Sequence, residues 1–134
     1  MKEITELTED DSDWVGSLVE TLRTLGVSTE PADLDEFLEH ARRTWTLAGA
    51  DPMPLVNLVG AGVGHHLATR LGLRWVYVTD KRGQRLALYG DSFKTLAFPL
   101  DAVARRWAGE PGSLPQYVHS TSAAITQIRT GMAS

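Results

Sequence analysis

The chain contains no cysteine, which excludes disulfides, cysteine-ligated metal centres and thiol nucleophiles. It also lacks an apolar run of the roughly 20 residues that a membrane span requires. The longest such stretch, residues 55–63, is interrupted by Asn57. The first residues show no basic start followed by an apolar segment, so no signal peptide is indicated. We therefore expect a cytoplasmic protein that has no membrane partner.

Positive charge is also scarce, because 13 Lys and Arg stand against 17 Asp and Glu. The resulting formal net charge of -4 makes nucleic acid an unlikely partner. The length of 134 residues, with 43 % hydrophobic and 22 % charged residues, is that of one soluble globular domain. We expect this single domain to span residues 1–134; composition does not indicate its oligomeric state.

The acids are concentrated at the beginning of the chain. Residues 1–39 hold twelve acids and two bases, whereas residues 40–134 hold five acids and eleven bases. Two interpretations stay open. The acids form solvated helix faces, which is the common role of charge runs, or they form a docking surface that steers a basic protein. The docking hypothesis assigns partner binding to four acids: Asp33, Asp35, Glu36 and Glu39.

Hydrophobic residues at helical spacing predict five helices, over residues 9–25, 31–48, 55–71, 101–107 and 113–130. In the first helix the apolar face carries Trp14, Leu18, Leu22 and Leu25, with Val15 beside them. Gly72 ends the third helix. The chain thus divides into an acidic helical part (1–50), a core (55–107) and a last helix (113–130).

From Arg74 the hydrophobic period changes to two, which predicts three strands joined by short turns. The first turn, residues 80–83, has Asp first and Gly fourth, as a type I turn prefers. The expected fold class is α+β: a three-stranded antiparallel meander packed against helices, in the order α-α-α-β-β-β-α-α. We expect the third helix to cover one face of the meander. The residues predicted on that face are Val76, Val78, Leu86, Leu88, Leu96 and Phe98.

The glycines of the third helix allow a second interpretation. Gly60, Gly62 and Asp80, twenty residues beyond Gly60, approximate a dinucleotide-binding fingerprint. His65, however, occupies the position of the third small residue, and the strand ending at Asp80 enters a hairpin. As a helix, the segment would place Gly60 and Gly64 on one face, where they permit close approach. We favour the helix.

No catalytic residue, metal ligand or cofactor is assigned. His65 and His66 are adjacent and would point about 100° apart on a helix, and no ligand lies four residues from either. No serine-nucleophile motif occurs. An enzyme is therefore less expected than a binding module. The alternative is a small-ligand-binding protein or enzyme whose pocket lies beside the meander; its residues would be Trp75, Tyr77, Asp80, Arg85 and Arg106.

The central region also carries a set of features that occur together in a known family. They are Gly60 and Gly64, Leu71-Gly72, the strand 75–80, Gly83, Leu86-Ala87-Leu88, Phe98-Pro99 and Arg106. With these features, residues 55–107 resemble a bacterial family of unknown function, DUF3806. The resemblance favours a helix over residues 55–71 and implies no activity.

These observations favour a small protein-binding module over an enzyme. Its acidic N-terminal helices would bind a basic protein, in an immunity-like or chaperone-like role. Segregated charge, the absence of catalytic motifs and small size are the grounds for this hypothesis.

Overall fold

The computed structural model describes residues 3–48, 51–90 and 95–133, which form five helices and one four-stranded antiparallel sheet. In chain order the elements are β1 (Glu3–Glu6), α1 (Glu9–Thr24), α2 (Pro31–Ala48), α3 (Met53–Leu71), β2 (Arg74–Asp80), β3 (Gly83–Gly90), β4 (Thr95–Ala97), α4 (Pro99–Trp107) and α5 (Leu114–Ala133). The strands lie across the sheet in the order β1-β2-β3-β4. The predicted α+β class is confirmed.

Local signals set the helix ends close to the predicted positions. The Thr8 hydroxyl accepts the Asp11 backbone N–H at 3.2 Å and thereby caps α1. Gly72 adopts a left-handed conformation, with φ 67°, and ends α3. Because α3 is continuous, residues 60–64 lie inside a helix, and the phosphate-binding loop of the dinucleotide alternative is wrong.

The predicted three-stranded meander is wrong in one respect, because a fourth strand precedes the first helix. In β1, Ile4 pairs with Val78 and Glu6 pairs with Val76. The observed order is therefore β-α-α-α-β-β-β-α-α. This strand has only four residues, all exposed, and two of them are glutamates, so it carries too little apolar alternation to be recognised alone. Its strand conformation depends on backbone pairing with β2.

The prediction that six apolar residues share the covered face is also wrong. Asp80 pairs with Gly83 across the turn, which sets Val76 opposite Ala87 and Trp75 opposite Leu88. Opposed residues lie on the same face of a sheet, so the six divide between two faces. Leu86 and Leu88 lie on the face of Trp75 and Tyr77, whereas Val76, Val78, Leu96 and Phe98 belong to a second cluster with Ala87 and Tyr89. Both faces are therefore apolar.

The main core forms where α3 packs against the Trp75 face of the sheet and against its neighbouring helices. Three glycines make this packing close. A Cβ at Gly60 would lie 2.7 Å from Leu100 Cγ, and one at Gly62 would lie 2.7 Å from a methyl of Leu22. A Cβ at Gly64 would overlap the ring of Trp75. The glycines therefore let neighbouring side chains reach the α3 backbone, which explains their presence in a helix despite a propensity cost of about 1 kcal/mol each.

We predict that Gly64→Ala destabilises the protein by about 1–2 kcal/mol, because overpacking against Trp75 outweighs the gain in helix propensity. Gly16→Ala is the matched control, since nothing lies within 4 Å of a Cβ at this glycine of α1. That control should stabilise by up to about 1 kcal/mol. Urea unfolding of both variants measures the difference; equal stabilisation by the two alanines would contradict the close packing.

Candidate functional site

The four acids predicted to bind a partner lie on α2, and the structure gives them different surroundings. Asp33 and Glu36 are exposed. Asp35 and Glu39 face α4, where Arg106 Nε lies 3.3 Å from Asp35 Oδ1 and Arg106 Nη2 lies 3.1 Å from Glu39 Oε1. Asp35 Oδ1 also accepts the Leu114 backbone N–H at 3.0 Å. Two of the four acids thus hold α4 and the start of α5 against α2.

The five residues of the predicted ligand pocket fall in three places. Trp75 packs against α3, and the Tyr77 hydroxyl donates to Asp11 Oδ2 at 2.8 Å, both on the helix-covered face. Asp80 and Arg85 lie on the other face of the sheet, where they bond to each other. Arg106 lies at the α2–α4 contact. The structure therefore brings only Asp80 and Arg85 together.

Arg85 forms the centre of a partly buried charge cluster. Its Nη2 donates to Asp80 Oδ2 at 2.9 Å, and its Nη1 donates to Asp101 Oδ2 at 2.8 Å. Its guanidinium also lies over the ring of Phe98, 4.4 Å from the centroid. The backbone N–H of Arg82, together with Arg85, lowers the pKa of Asp80. Asp80 therefore stays ionised at neutral pH, and the cluster connects the β2–β3 turn to α4.

The adjacent histidines occupy different environments on α3. His65 is exposed, and His66 is buried. Burial, followed by the positive charge of Arg70, lowers the pKa of His66, while the carboxylate of Glu30 raises it. His66 is therefore a neutral buried side chain at neutral pH. Within residues 3–48, 51–90 and 95–133, no group of three His, Asp or Glu is placed to hold a metal ion.

Sequence reasoning missed an exposed aromatic residue on α1. Trp14 was predicted on the buried face of α1, but only Val15 and Leu22 are buried there. Trp14 is 41 % exposed and Leu25 is 57 % exposed. The sequence feature that indicates this exposure is the spacing of Val15 and Leu22, because it defines a narrower apolar face that excludes Trp14.

Acids surround Trp14 on the exposed side of α1. Asp10 and Asp13 lie four residues and one residue before it, and Glu9 begins the helix. No ion pair involves these three carboxylates in the part of the chain that the structure describes. We call the exposed side chains of the first turns of α1 the acidic surface; they are Glu9, Asp10, Asp13 and Trp14.

The fold and these sites define a small α+β protein whose glycine-bearing helix packs on an antiparallel sheet. The chain belongs to the family described as Domain of unknown function (DUF3806), which matches residues 48–117. The resemblance inferred from residues 55–107 is thus confirmed. No curated protein and no solved structure gives a significant match to the chain. None of the helices in the described residues is long and apolar enough to cross a membrane.

We predict that Arg106→Ala lowers the free energy of unfolding by about 2–3 kcal/mol, because it leaves the partly buried Asp35 without its cation and takes from Glu39 the nearer of its two arginines, Arg42 being 3.8 Å away. Arg43→Ala is the control, since Arg43 is an exposed arginine of α2; it should cost less than about 1 kcal/mol. A double-mutant cycle with Asp35→Ala, measured by urea unfolding, should show coupling between Arg106 and Asp35. Additive effects would contradict a stabilising ion pair.

The buried His66 predicts a pH dependence of stability. Because its pKa is lowered in the folded chain, the unfolded chain binds the proton more tightly. The unfolding free energy should therefore fall as the pH drops below about 6.5, the ordinary histidine pKa, and continue to fall down to the folded-state pKa. His66→Gln should flatten this dependence, and His65→Gln should keep it. An unchanged slope in His66→Gln, measured by thermal unfolding between pH 5 and about 7.5, would contradict the assignment.

Proposed function

We propose that this protein is a binding module for a basic partner protein, which docks on the acidic surface. The observation that carries the proposal is an exposed tryptophan, Trp14, beside carboxylates that have no ion pair within the described residues. Tryptophan is enriched among residues that dominate binding energy at protein interfaces. An exposed indole on a strongly charged surface therefore fits an interface better than a solvated helix face.

The charge of this region favours a partner of opposite sign. Residues 3–25 hold seven acids and one base, which gives a net charge of -6. Such a concentration of one sign accelerates the encounter with a basic protein and disfavours acidic ones. The same region also exposes apolar side chains that a partner can contact. Two exposed large hydrophobic residues, Trp14 on α1 and Leu25 directly after it, lie in this region.

Two of the four α2 acids that were predicted to bind a partner can contact it directly. Asp33 and Glu36 are exposed and can extend partner binding, although Asp33 accepts a hydrogen bond from Ser28. Asp35 and Glu39 act by holding Arg106 in place, so substituting them would affect binding through the packing of α4. The proposed role is immunity-like or chaperone-like, in the cytoplasm.

The alternative function, a ligand-binding protein or enzyme, depends on a cavity that several polar groups face. Of its five predicted residues, Arg85 lines a groove beside β4 and Arg106 lines a separate cavity between α4 and α5, so these two do not face one site. Trp75 and Tyr77 are directed to α3 and α1 instead. A protein-binding role is therefore favoured as the main function.

The proposal is tested by capture of partners from a lysate of the source organism at low salt. The bait proteins are the natural chain, Asp13→Lys/Trp14→Ala, and the control Glu110→Lys, which changes an exposed acid in the loop before α5. A true partner is retained by the natural chain and the control but lost by the double variant. Its affinity, measured with purified proteins, should fall at least about tenfold in that variant and weaken with added salt.

Two results would contradict the proposal. One is that no captured protein distinguishes the double variant from Glu110→Lys. The other is that the purified partner binds both variants with equal affinity. Circular dichroism of each bait confirms that the variants are folded, so that a loss of binding reports on the surface itself.

A further inference from the structure

A groove of about 800 Å³ runs between β4 and α5 and reaches Asp101 and Arg105 of α4. Its volume falls within the range of small-molecule sites, which are roughly 300–1,000 Å³. One wall comprises residues 95–98, and the other comprises the α5 side chains Tyr117, Ser120, Thr121, Ala124, Ile125 and Ile128. Arg82, Arg85, Asp101 and Arg105 complete the lining. This site is separate from the acidic surface and does not depend on the proposed function.

The part of the groove next to Arg85 is rich in arginine. The Arg82 backbone N–H donates to Asp80, Arg105 lies one helical turn after Asp101, and Arg85 binds both of these aspartates. Arg82 and Arg105 are exposed, and their side chains make no ion pair in the described ranges of the chain. Arg85 is already bound by Asp80 and Asp101, so these three groups together carry one negative charge. With Arg82 and Arg105 added, the end of the groove has a net charge of about +1, counting each ionised group once. A monovalent anion matches this charge better than a phosphate monoester, which carries nearly two.

Hydrogen-bond donors lie at the same end. The Tyr117 hydroxyl is close to Arg105 and to the backbone of Phe98. Burial raises the pKa of Tyr117, and this outweighs the lowering by Thr121, Arg105 and Phe98. The hydroxyl therefore remains protonated and can donate. On the next turn of α5, Ser120 adds another hydroxyl to the lining, and the Thr121 hydroxyl is hydrogen bonded to Tyr117.

The other end of the groove is apolar. Ala124, Ile125 and Ile128 follow along α5, and Ile128 is 42 % exposed. Ile128 lies eleven positions after Tyr117, which corresponds to about 16 Å along a helix. Leu96 and Ala97 line the facing strand. The groove thus changes from charged to apolar over a distance that an elongated molecule can span.

We infer that this groove binds an amphiphilic organic acid. Its carboxylate lies between Arg82 and Arg105 and accepts from the Tyr117 hydroxyl, and its hydrocarbon part lies along Ile125 and Ile128. The guanidinium groups supply the planar donors that carboxylates prefer. The carboxylate of Asp101 also lines the site and opposes a second negative charge on the ligand, which gives a preference for monovalent acids.

The test is titration of the ¹⁵N-labelled full chain with decanoate, followed by NMR. Two other probes separate the contributions: acetate has the head group alone, and decyltrimethylammonium has the same tail with the opposite charge. Decanoate should shift the backbone amides of residues 95–98, 100–101 and 117–128 in a saturable manner and bind at least about tenfold more tightly than either of the other probes. No saturable shift, or equal binding of the cationic probe, would overturn the inference.

Substitutions at each end of the groove test whether decanoate binds there. Arg82→Ala/Arg105→Ala should weaken decanoate binding about tenfold, and Ile128→Asp should weaken it by a similar factor because it places a charge at the apolar end. All three positions are exposed, so these variants should fold. The matched control, Arg23→Ala/Arg43→Ala, removes two exposed arginines from α1 and α2 and should bind as the natural chain does. Equal weakening by the control pair would show a nonspecific charge effect and overturn the assignment.

Discussion

The close approach of neighbouring side chains to the backbone of α3 is the constraint on which the rest of the structure depends. At Gly64 the ring of Trp75 occupies the space of a side chain, and at Gly60 Leu100 does the same. The first contact fixes the helix on the sheet, and the second fixes α4 on the helix. Because α3 also packs against α1, α2 and α5, the position of every described helix is set relative to this one element.

This arrangement also positions the charged groups. α4 begins at Pro99, next to the contacts of Gly60 and Gly64, and its two faces then carry different charges. Arg106 points to α2 and is neutralised by Asp35 and Glu39. Asp101 and Arg105 line the groove on the other side. The packing of α3 thus determines which acids form ion pairs within the chain and which remain exposed at the surface.

Much of this fold is predictable from local signals. The Thr8 cap, the left-handed Gly72 and the 80–83 turn set element ends within a few residues. β1 was missed because its strand conformation comes from pairing with β2, about 70 residues later. The pairing of Arg106 with Asp35 joins residues 71 apart, so no local pattern could indicate it. The exposure of Trp14, by contrast, could have been found locally, because Val15 and Leu22 mark an apolar face of α1 that excludes it.

The family match covers much of the groove but none of the acidic surface. Residues 48–117 include α3, the strands β2 to β4, α4 and the first turn of α5, so the match covers the packing core and much of the groove. The acidic surface lies outside those residues. A partner that docks there would therefore recognise features that the family match does not include, whereas the groove belongs largely to the matched fold.

The central claim, that contact between α3 and Trp75 organises the fold, is tested most directly by a double-mutant cycle of Gly64→Ala and Trp75→Phe. The smaller ring lacks the atoms that a Cβ at position 64 would meet. The account predicts that Gly64→Ala costs less in the Trp75→Phe background, with a coupling of about 0.5–3 kcal/mol in urea unfolding. Additive effects of the two substitutions would contradict it.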